Sequence, residues 1–356
     1  MKAALRPERL RELFFDLVGI YSPSGKEEGV LAHLEDFLAA QGCPYTVQPV
    51  DENRYNLVLG RPDAELLFVG HVDTVHAWDL EDLGPRETGE GWVRGLGAAD
   101  MKGGCAALVE AFLVLREAGR AGPFGLALVV GEEEEGDGAQ ALLREARPRR
   151  ALVGEPTNLR LCTGHFGYLE VALSATGRRV HASVPELGEN AAEAVLSVLH
   201  ALSQDPAFRG VGPVASIRHL ETSNPGFAVP ARAAAWVDVH VPPSQAMDPV
   251  KAAVRRLVRA HGRGRVTVEF PVAQAGFQMD EEDPLVRAYR LLRSDAPELF
   301  RSHSDANTFH AAGVPTAVLG PGSLEWAHTE GEQVRFAEVL EAAELYVALA
   351  GAYAGG

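Results

Sequence analysis

A chain of 356 residues, 46% hydrophobic and 23% charged, is long enough for two domains and has the balance of a soluble globular protein, not of a disordered or fibrous one. Its formal net charge of -16 argues against nucleic acid as the main partner, because phosphate binding needs a cationic surface. No apolar run approaches a membrane span and the N-terminus lacks the apolar core of a signal peptide, so no membrane partner is expected and the reading is cytoplasmic.

Residues 6–20 carry Leu10, Leu13, Phe14 and Leu17 at helical spacing, and Tyr21-Ser22-Pro23 breaks the pattern. Ser24-Gly25-Lys26-Glu27 fits a capping box that opens a second helix running to Gly42. Strand-like segments follow at 45–50, 55–60 and 65–70. The last is a short apolar run of the kind shown by a strand buried on both faces, so His71 stands where such a strand ends. Ligand crevices of open α/β sheets lie outside the carboxyl ends of the strands. A neutral imidazole there can give one nitrogen to a metal, while Asp73, two residues on, holds the other. Taken alone, the tripeptide reads better as a solvated loop histidine beside a turn aspartate, and only the rest of the chain overturns that.

A glycine-rich stretch from Trp92 to Gly104 leads into a helix at 105–118, and 124–130 is another buried-strand pattern that ends in Gly131-Glu132-Glu133-Glu134-Glu135-Gly136. The string Gly95-x-Gly97-x-x-Asp100 is not a dinucleotide fingerprint. It follows a polar stretch and puts a carboxylate where a glycine should let a pyrophosphate approach. A helix at 138–147 precedes a short strand at 151–153, which ends at Gly154-Glu155-Pro156. Alternating strands and helices to this point indicate an α/β, mainly parallel, doubly wound sheet. Segments 168–176, 189–202, 214–219, 231–239, 248–260 and 266–270 then read strand, helix, strand, strand, helix, strand, the order of a ferredoxin-like α+β unit. A buried-strand pattern at 316–319 and a helical one at 333–350 return to the first architecture. The expected division is therefore 1–166 and 276–356 for the first domain, with 167–275 inserted. The three cysteines, Cys43, Cys105 and Cys162, are too scattered for a disulfide framework or a thiolate zinc site and read as buried free thiols.

Four positions share one address, the end of a core strand or the loop beyond it: His71, Asp100, the Glu132–Glu135 run and Glu155; His328, after the late strand, is a fifth. Each has an ordinary explanation as a solvated turn or surface residue, but five coincidences at one address do not. Nitrogen and oxygen donors without thiolate suit zinc, cobalt or manganese, and two ions sharing a carboxylate can activate a water.

The strings Gly70-His71-Val72-Asp73-Thr74-Val75, Gly97-Ala98-Ala99-Asp100-Met101-Lys102-Gly103-Gly104, Gly131-Glu132-Glu133-Glu134, Val153-Gly154-Glu155-Pro156-Thr157 and the late His328 resemble, in order and across nearly the whole chain, the dinuclear zinc amidohydrolases. These include acetylornithine deacetylase, succinyl-diaminopimelate desuccinylase, aminoacylase and glutamate carboxypeptidase. The resemblance implies two divalent ions per subunit, zinc or cobalt. His71 and Glu155 would belong to separate ions, Asp100 would bridge them, and Glu134 and His328 would complete the two ligand sets. Asp73 would orient His71, and Glu133 would be the general base, with Glu132-Glu133-Glu134 aligned on the family's Asp-Glu-Glu. It further implies that the inserted domain mediates a homodimer, and Gly177-Arg178-Arg179-Val180-His181-Ala182-Ser183 matches the motif of a histidine, His181, that donates to the oxyanion in the partner subunit's site.

Two departures bear on substrate. His240 stands where many members carry arginine, and Ser304-Asp305-Ala306-Asn307 replaces a pattern ending in arginine. The asparagine form resembles the lysine-biosynthesis branch, which releases lysine from the terminal glutamate of a small acidic amino-group carrier protein. Arginines at 144, 147, 149 and 150, at 178 and 179, and at 255, 256, 259, 263 and 265 offer positive patches for such a carrier. The expectation is an amide hydrolase releasing lysine, or ornithine, from that carrier. The alternatives are a deacylase of small N-acyl amino acids (acetylornithine deacetylase or succinyl-diaminopimelate desuccinylase) and a non-catalytic amino-acid sensor on the same fold.

Overall fold

Four wholly buried apolar runs, Leu66–His71, Phe124–Val129, Ala151–Val153 and Thr316–Val318, lie side by side as parallel strands. The computed structural model describes residues 4–77, 84–210, 212–222 and 226–355. In it the chain divides into two units: Met1–Thr163 with Met279–Phe300 and Ser304–Gly356, and Gly164–Gln278 with Arg301–His303. The sequence pattern places the inserted segment at 167–275.

In the first unit the sheet runs in the order Tyr45–Pro49, Tyr55–Gly60, Phe124–Val129, Leu66–His71, Ala151–Val153, Thr316–Val318. The first strand is antiparallel to the second, and the second is antiparallel to Phe124–Val129. Only a short loop joins the first two, and a loop of that length permits no parallel crossover. The sheet is thus mixed, with its parallel part in the centre. The helix Gly103–Glu117 is buried from Gly103 to Leu115 and packs against the strands and the long helix Phe336–Gly355. Such a helix is apolar nearly all round because it is covered nearly all round, and its buried charge, Glu110, is paired with Arg9 at 2.7 Å.

Two local expectations change. Ser24 does not cap the helix Glu28–Ala40, whose N-cap is Glu27 without a side-chain bond. Instead Pro23 bridges to Thr74, and the Ser24 hydroxyl donates to the Asp73 carboxylate at 2.6 Å. The closing helix also starts later than 333. Gln333–Arg335 is a strand paired with Trp92–Arg94, which in turn pairs with Arg86–Glu87, and the helix begins at Phe336. That small sheet ties the segment before Asp100 to the segment after His328.

The second unit is antiparallel, in the order Val214–Thr222, Arg232–Val241, Gly167–Thr176, Val266–Glu269. Gly167–Thr176 alternates strictly, turning Leu169, Val171, Leu173 and Ala175 to one face. Helices Ala191–Gln204 and Met247–His261 cover that face with Val195, Val198, Leu199, Val254 and Leu257. Period-two strands capped by two amphipathic helices make the ferredoxin-like unit.

Candidate metal centre

The strand Leu66–His71 delivers His71 into the crevice with 1% of its surface exposed. Its Nδ1 faces the backbone carbonyl of Asp73 at 3.0 Å, and the Asp73 carboxylate lies farther off, at 3.5 Å. A carbonyl only accepts, so Nδ1 carries the proton and Nε2 keeps a lone pair for a metal. The sequence reading gave that orienting role to the Asp73 carboxylate. Besides facing His71, that carboxylate accepts the backbone N–H of Glu132 at 3.2 Å and of Glu133 at 3.0 Å and the Ser24 hydroxyl.

Those two bonds decide the register of the glutamate run. Gly131, with φ of +74°, starts a turn in which the amides of Glu134, Glu135 and Gly136 close on the Gly131 carbonyl. A side chain at Gly131 would overlap the carboxylate of Asp137. With the amides of Glu132 and Glu133 held inward on Asp73, their side chains enter the site and are only 10% and 7% exposed. Glu134 points outward, 56% exposed, 3.7 Å from His76. Glu134, expected as a ligand, therefore stands outside the donor groups, while Glu133, expected as the base, falls within one of them with Glu132 beside it. Four identical residues carry no periodicity from which the turn could be inferred, so only the fold separates them.

Asp100 lies on the tight turn Ala98–Lys102 and presents one oxygen to each histidine: Oδ1 to His71 Nε2 at 3.4 Å, Oδ2 to His328 Nε2 at 3.4 Å. Glu155 stands 3.8 Å from His71 Nε2, and Glu133 3.0 Å from His328 Nε2. His328 holds a left-handed backbone, φ of +59°, which a non-glycine residue adopts at an energetic cost and which recurs at functional sites. Two donor groups result, His71–Asp100–Glu155 and Asp100–Glu133–His328, each with its ligand atoms within 4.8 Å of one another and both containing Asp100. A third grouping, His71–Glu132–Glu133, places Glu132 beside the pair.

The electrostatics fit cations. Burial raises the carboxyls of Glu132, Glu133 and Glu155, and neighbouring carboxylates add to it. Burial opposes charge on His328 too, but Glu133 and Asp100 push it up to about 10; the two histidines in turn pull Asp100 down to about 2. His71 Nε2 and Glu155 Oε1 are buried without a hydrogen-bond partner, as expected of atoms shaped to meet an ion. Cys105 adjoins the site but is not a donor. Its thiol bonds the His71 carbonyl at 3.0 Å, and burial pushes it up to about 12. The remaining nitrogen and oxygen donors suit divalent zinc, cobalt or manganese.

A family model described as peptidase family M20/M25/M40 matches residues 67–352. The chain belongs to that family. A probable carboxypeptidase of Aspergillus terreus is 32% identical, over 93% of this chain and 83% of its own length. The acetylornithine deacetylase of Proteus mirabilis is 29% identical, over 89% and 88%. A structure described as a dinuclear metal-binding peptidase of the M20 family from Bacillus subtilis shares the fold, with a TM-score of 0.67 at 14% identity over 97% of each chain. This M20 chain is a metallo-hydrolase by family.

Three further residues singled out in the sequence are not among these donor groups. In the second unit of the M20 chain His181 is exposed and its Nδ1 lies 2.7 Å from the Ser183 hydroxyl. His240, also in that unit, packs 5.7 Å from the ring of Tyr168, which stacks on His303 at 4.4 Å. Burial lowers the His240 imidazole, so it cannot supply the permanent charge of an arginine. Asn307 is buried in the first unit, and its Oδ1 accepts the Ser304 amide in a capping box that starts the helix Asp305–Ala311.

Glu155 is fixed by close backbone contact. A side chain at Gly104 would overlap the Gly154 carbonyl oxygen, and so would one at Gly320. Gly104→Ala should therefore cost about 1–3 kcal/mol, the range for overpacking a tight interior. It should also weaken zinc uptake, because the carbonyl that must move belongs to the residue before Glu155. Thermal melting and a zinc titration check this; a variant unchanged in both would show that the contact is slack.

Proposed function

We propose that this M20 hydrolase cleaves amide bonds with two divalent ions, zinc or cobalt, held by His71 and Glu155 on one side and Glu133 and His328 on the other, with Asp100 shared. The observation that carries the reading is Asp100, whose two oxygens each face one histidine. Bound ions would polarise the amide carbonyl and acidify a water. Glu132 then acts as general base. Its carboxylate is buried among the donors, and burial raises its affinity for a proton, so it takes one from the attacking water and hands it to the leaving amine. Asp73 holds Glu132 in place through the backbone. His181 would donate to the oxyanion of a second copy's site, and the exposed edge strand Val214–Thr222, with Ile217 and Leu220 partly bare, supports a homodimer through the second unit.

For the substrate, we propose release of lysine, and of ornithine to a lesser degree, from the terminal glutamate of a small acidic carrier protein. Exposed Arg144, Arg147, Arg178 and Arg179 support docking of an acidic surface. Arg256, Arg263 and Arg265 support it less, since they pair with Asp205, Glu193 and Glu189. The similarity to acetylornithine deacetylase supports a second reading, a deacylase of small N-acyl amino acids.

Glutamine substitutions separate the roles within the run. Glu132→Gln should keep both ions and lose about 10²–10⁴-fold in kcat. Glu133→Gln should lose one ion, and Glu134→Gln should change neither; loss of metal in Glu134→Gln instead would restore the sequence register. For the substrate, kcat/KM is compared for carrier-linked lysine, N-acetyllysine, N-acetylornithine and succinyl-diaminopimelate across a salt series. The carrier should win at low salt and lose its lead as salt rises. A small acyl substrate that wins at every salt concentration ends the carrier reading, and no turnover of any substrate by zinc-loaded protein favours the sensor.

A further inference from the structure

Four residues beyond His328 stands a buried carboxylate that none of the roles above uses. Glu332, 3% exposed, accepts the backbone N–H of Ala99 and of Asp100 on Oε1 and that of Gly97 on Oε2, each at 3.0 Å. The arrangement grows out of the small sheet. Trp92–Arg94 pairs antiparallel with Gln333–Arg335, and the ladder continues by one more bond, from the Gly95 amide to the Glu332 carbonyl at 3.0 Å. Beyond Gly95 the chain turns away through the left-handed Gly97, and the Glu332 side chain takes over where the backbone ladder stops. Its own amide closes the turn after His328 by donating to the Thr329 carbonyl at 3.1 Å. One residue therefore grips the Asp100 turn by four bonds and the His328 turn by one.

We propose that Glu332 is a positioning residue that sets the separation of Asp100 and His328. This rests on the reading that an ion is shared between them. Both residues sit on irregular backbone, one on a tight turn and the other at positive φ, so neither position is fixed by a helix or strand of its own. A carboxylate that accepts three amides on two oxygens is a strong, directional clamp. A carboxamide in its place has one accepting oxygen, and its NH₂ group opposes the N–H groups it should accept.

Zinc affinity of the metal-free protein, measured by competition with a chelating dye, tests the proposal in wild type, Glu332→Gln and the exposed neighbour Glu330→Gln. Wild type and Glu330→Gln should bind two zinc ions alike, while Glu332→Gln should bind the weaker one about 10–100-fold less tightly, the cost typical of losing a group that orients ligands. A merely structural role would lower the melting temperature of the metal-free variant and leave the zinc affinity of its folded form unchanged, and that result overturns the proposal. Should Glu332→Gln fail to fold, hydrogen exchange on the wild type decides. The amides of Gly97, Ala99 and Asp100 should exchange slowly before zinc is added, and rapid exchange overturns the proposal. Wild-type protein that binds fewer than two zinc ions counts against the shared-ion reading itself, whereas two ions bound equally tightly by wild type and Glu332→Gln count against Glu332 alone.

Discussion

Carboxylates crowded into a buried crevice repel one another, and much of the first unit is arranged around that repulsion. Asp73, Asp100, Glu132, Glu133 and Glu155 lie on or beside His71 and His328, and all but part of His328 is shielded from water. Two like charges about 4 Å apart repel by about 4 kcal/mol at the effective dielectric of a protein surface. Several such pairs would rival the roughly 5–15 kcal/mol by which a whole domain is stable. Protonation can relieve some of this, as the raised carboxyls indicate, and divalent cations held between the donors would relieve most of it and supply chemistry as well.

The carboxylates that cannot all meet a cation are held by backbone amides instead. Asp73 takes the amides of the glutamate turn, and Glu332 those of the Asp100 turn. Each thereby converts a buried negative charge into a brace for a neighbouring donor. Backbone contact fixes the remaining donor, with Gly104 and Gly320 closed on the carbonyl before Glu155. The rigid parallel strands carry His71 and Glu155, while the irregular turns carry Asp100, Glu133 and His328 and need these braces.

What could be read from the residues followed from regular structure. Buried strands announce themselves as short apolar runs, and a polar residue at the end of such a run, His71 or Glu155, is visible at once. The ferredoxin-like order was legible because alternation with period two and helical spacing do not resemble each other. The glutamate register was not, because it depends on which amides Asp73 accepts, a contact between segments about sixty positions apart. Ser24 misled for the same reason: its local pattern is that of a cap, and a tertiary partner takes its hydroxyl. Glu332 gave no signal, since a single glutamate before a short strand looks like solvent-facing charge. His240 and Asn307 were visible as departures, but that one packs against an aromatic ring and the other caps a helix needed the structure.

The proposed two-ion chemistry requires Asp100 to be shared by both ions. Zinc-edge anomalous diffraction from crystals of the zinc-loaded protein measures this most directly. The prediction is two anomalous peaks in the first unit, one beside His71 and Glu155, the other beside Glu133 and His328, with Asp100 between them and Glu134 remote from both. A single peak, or a second peak bound by Glu134, would contradict it.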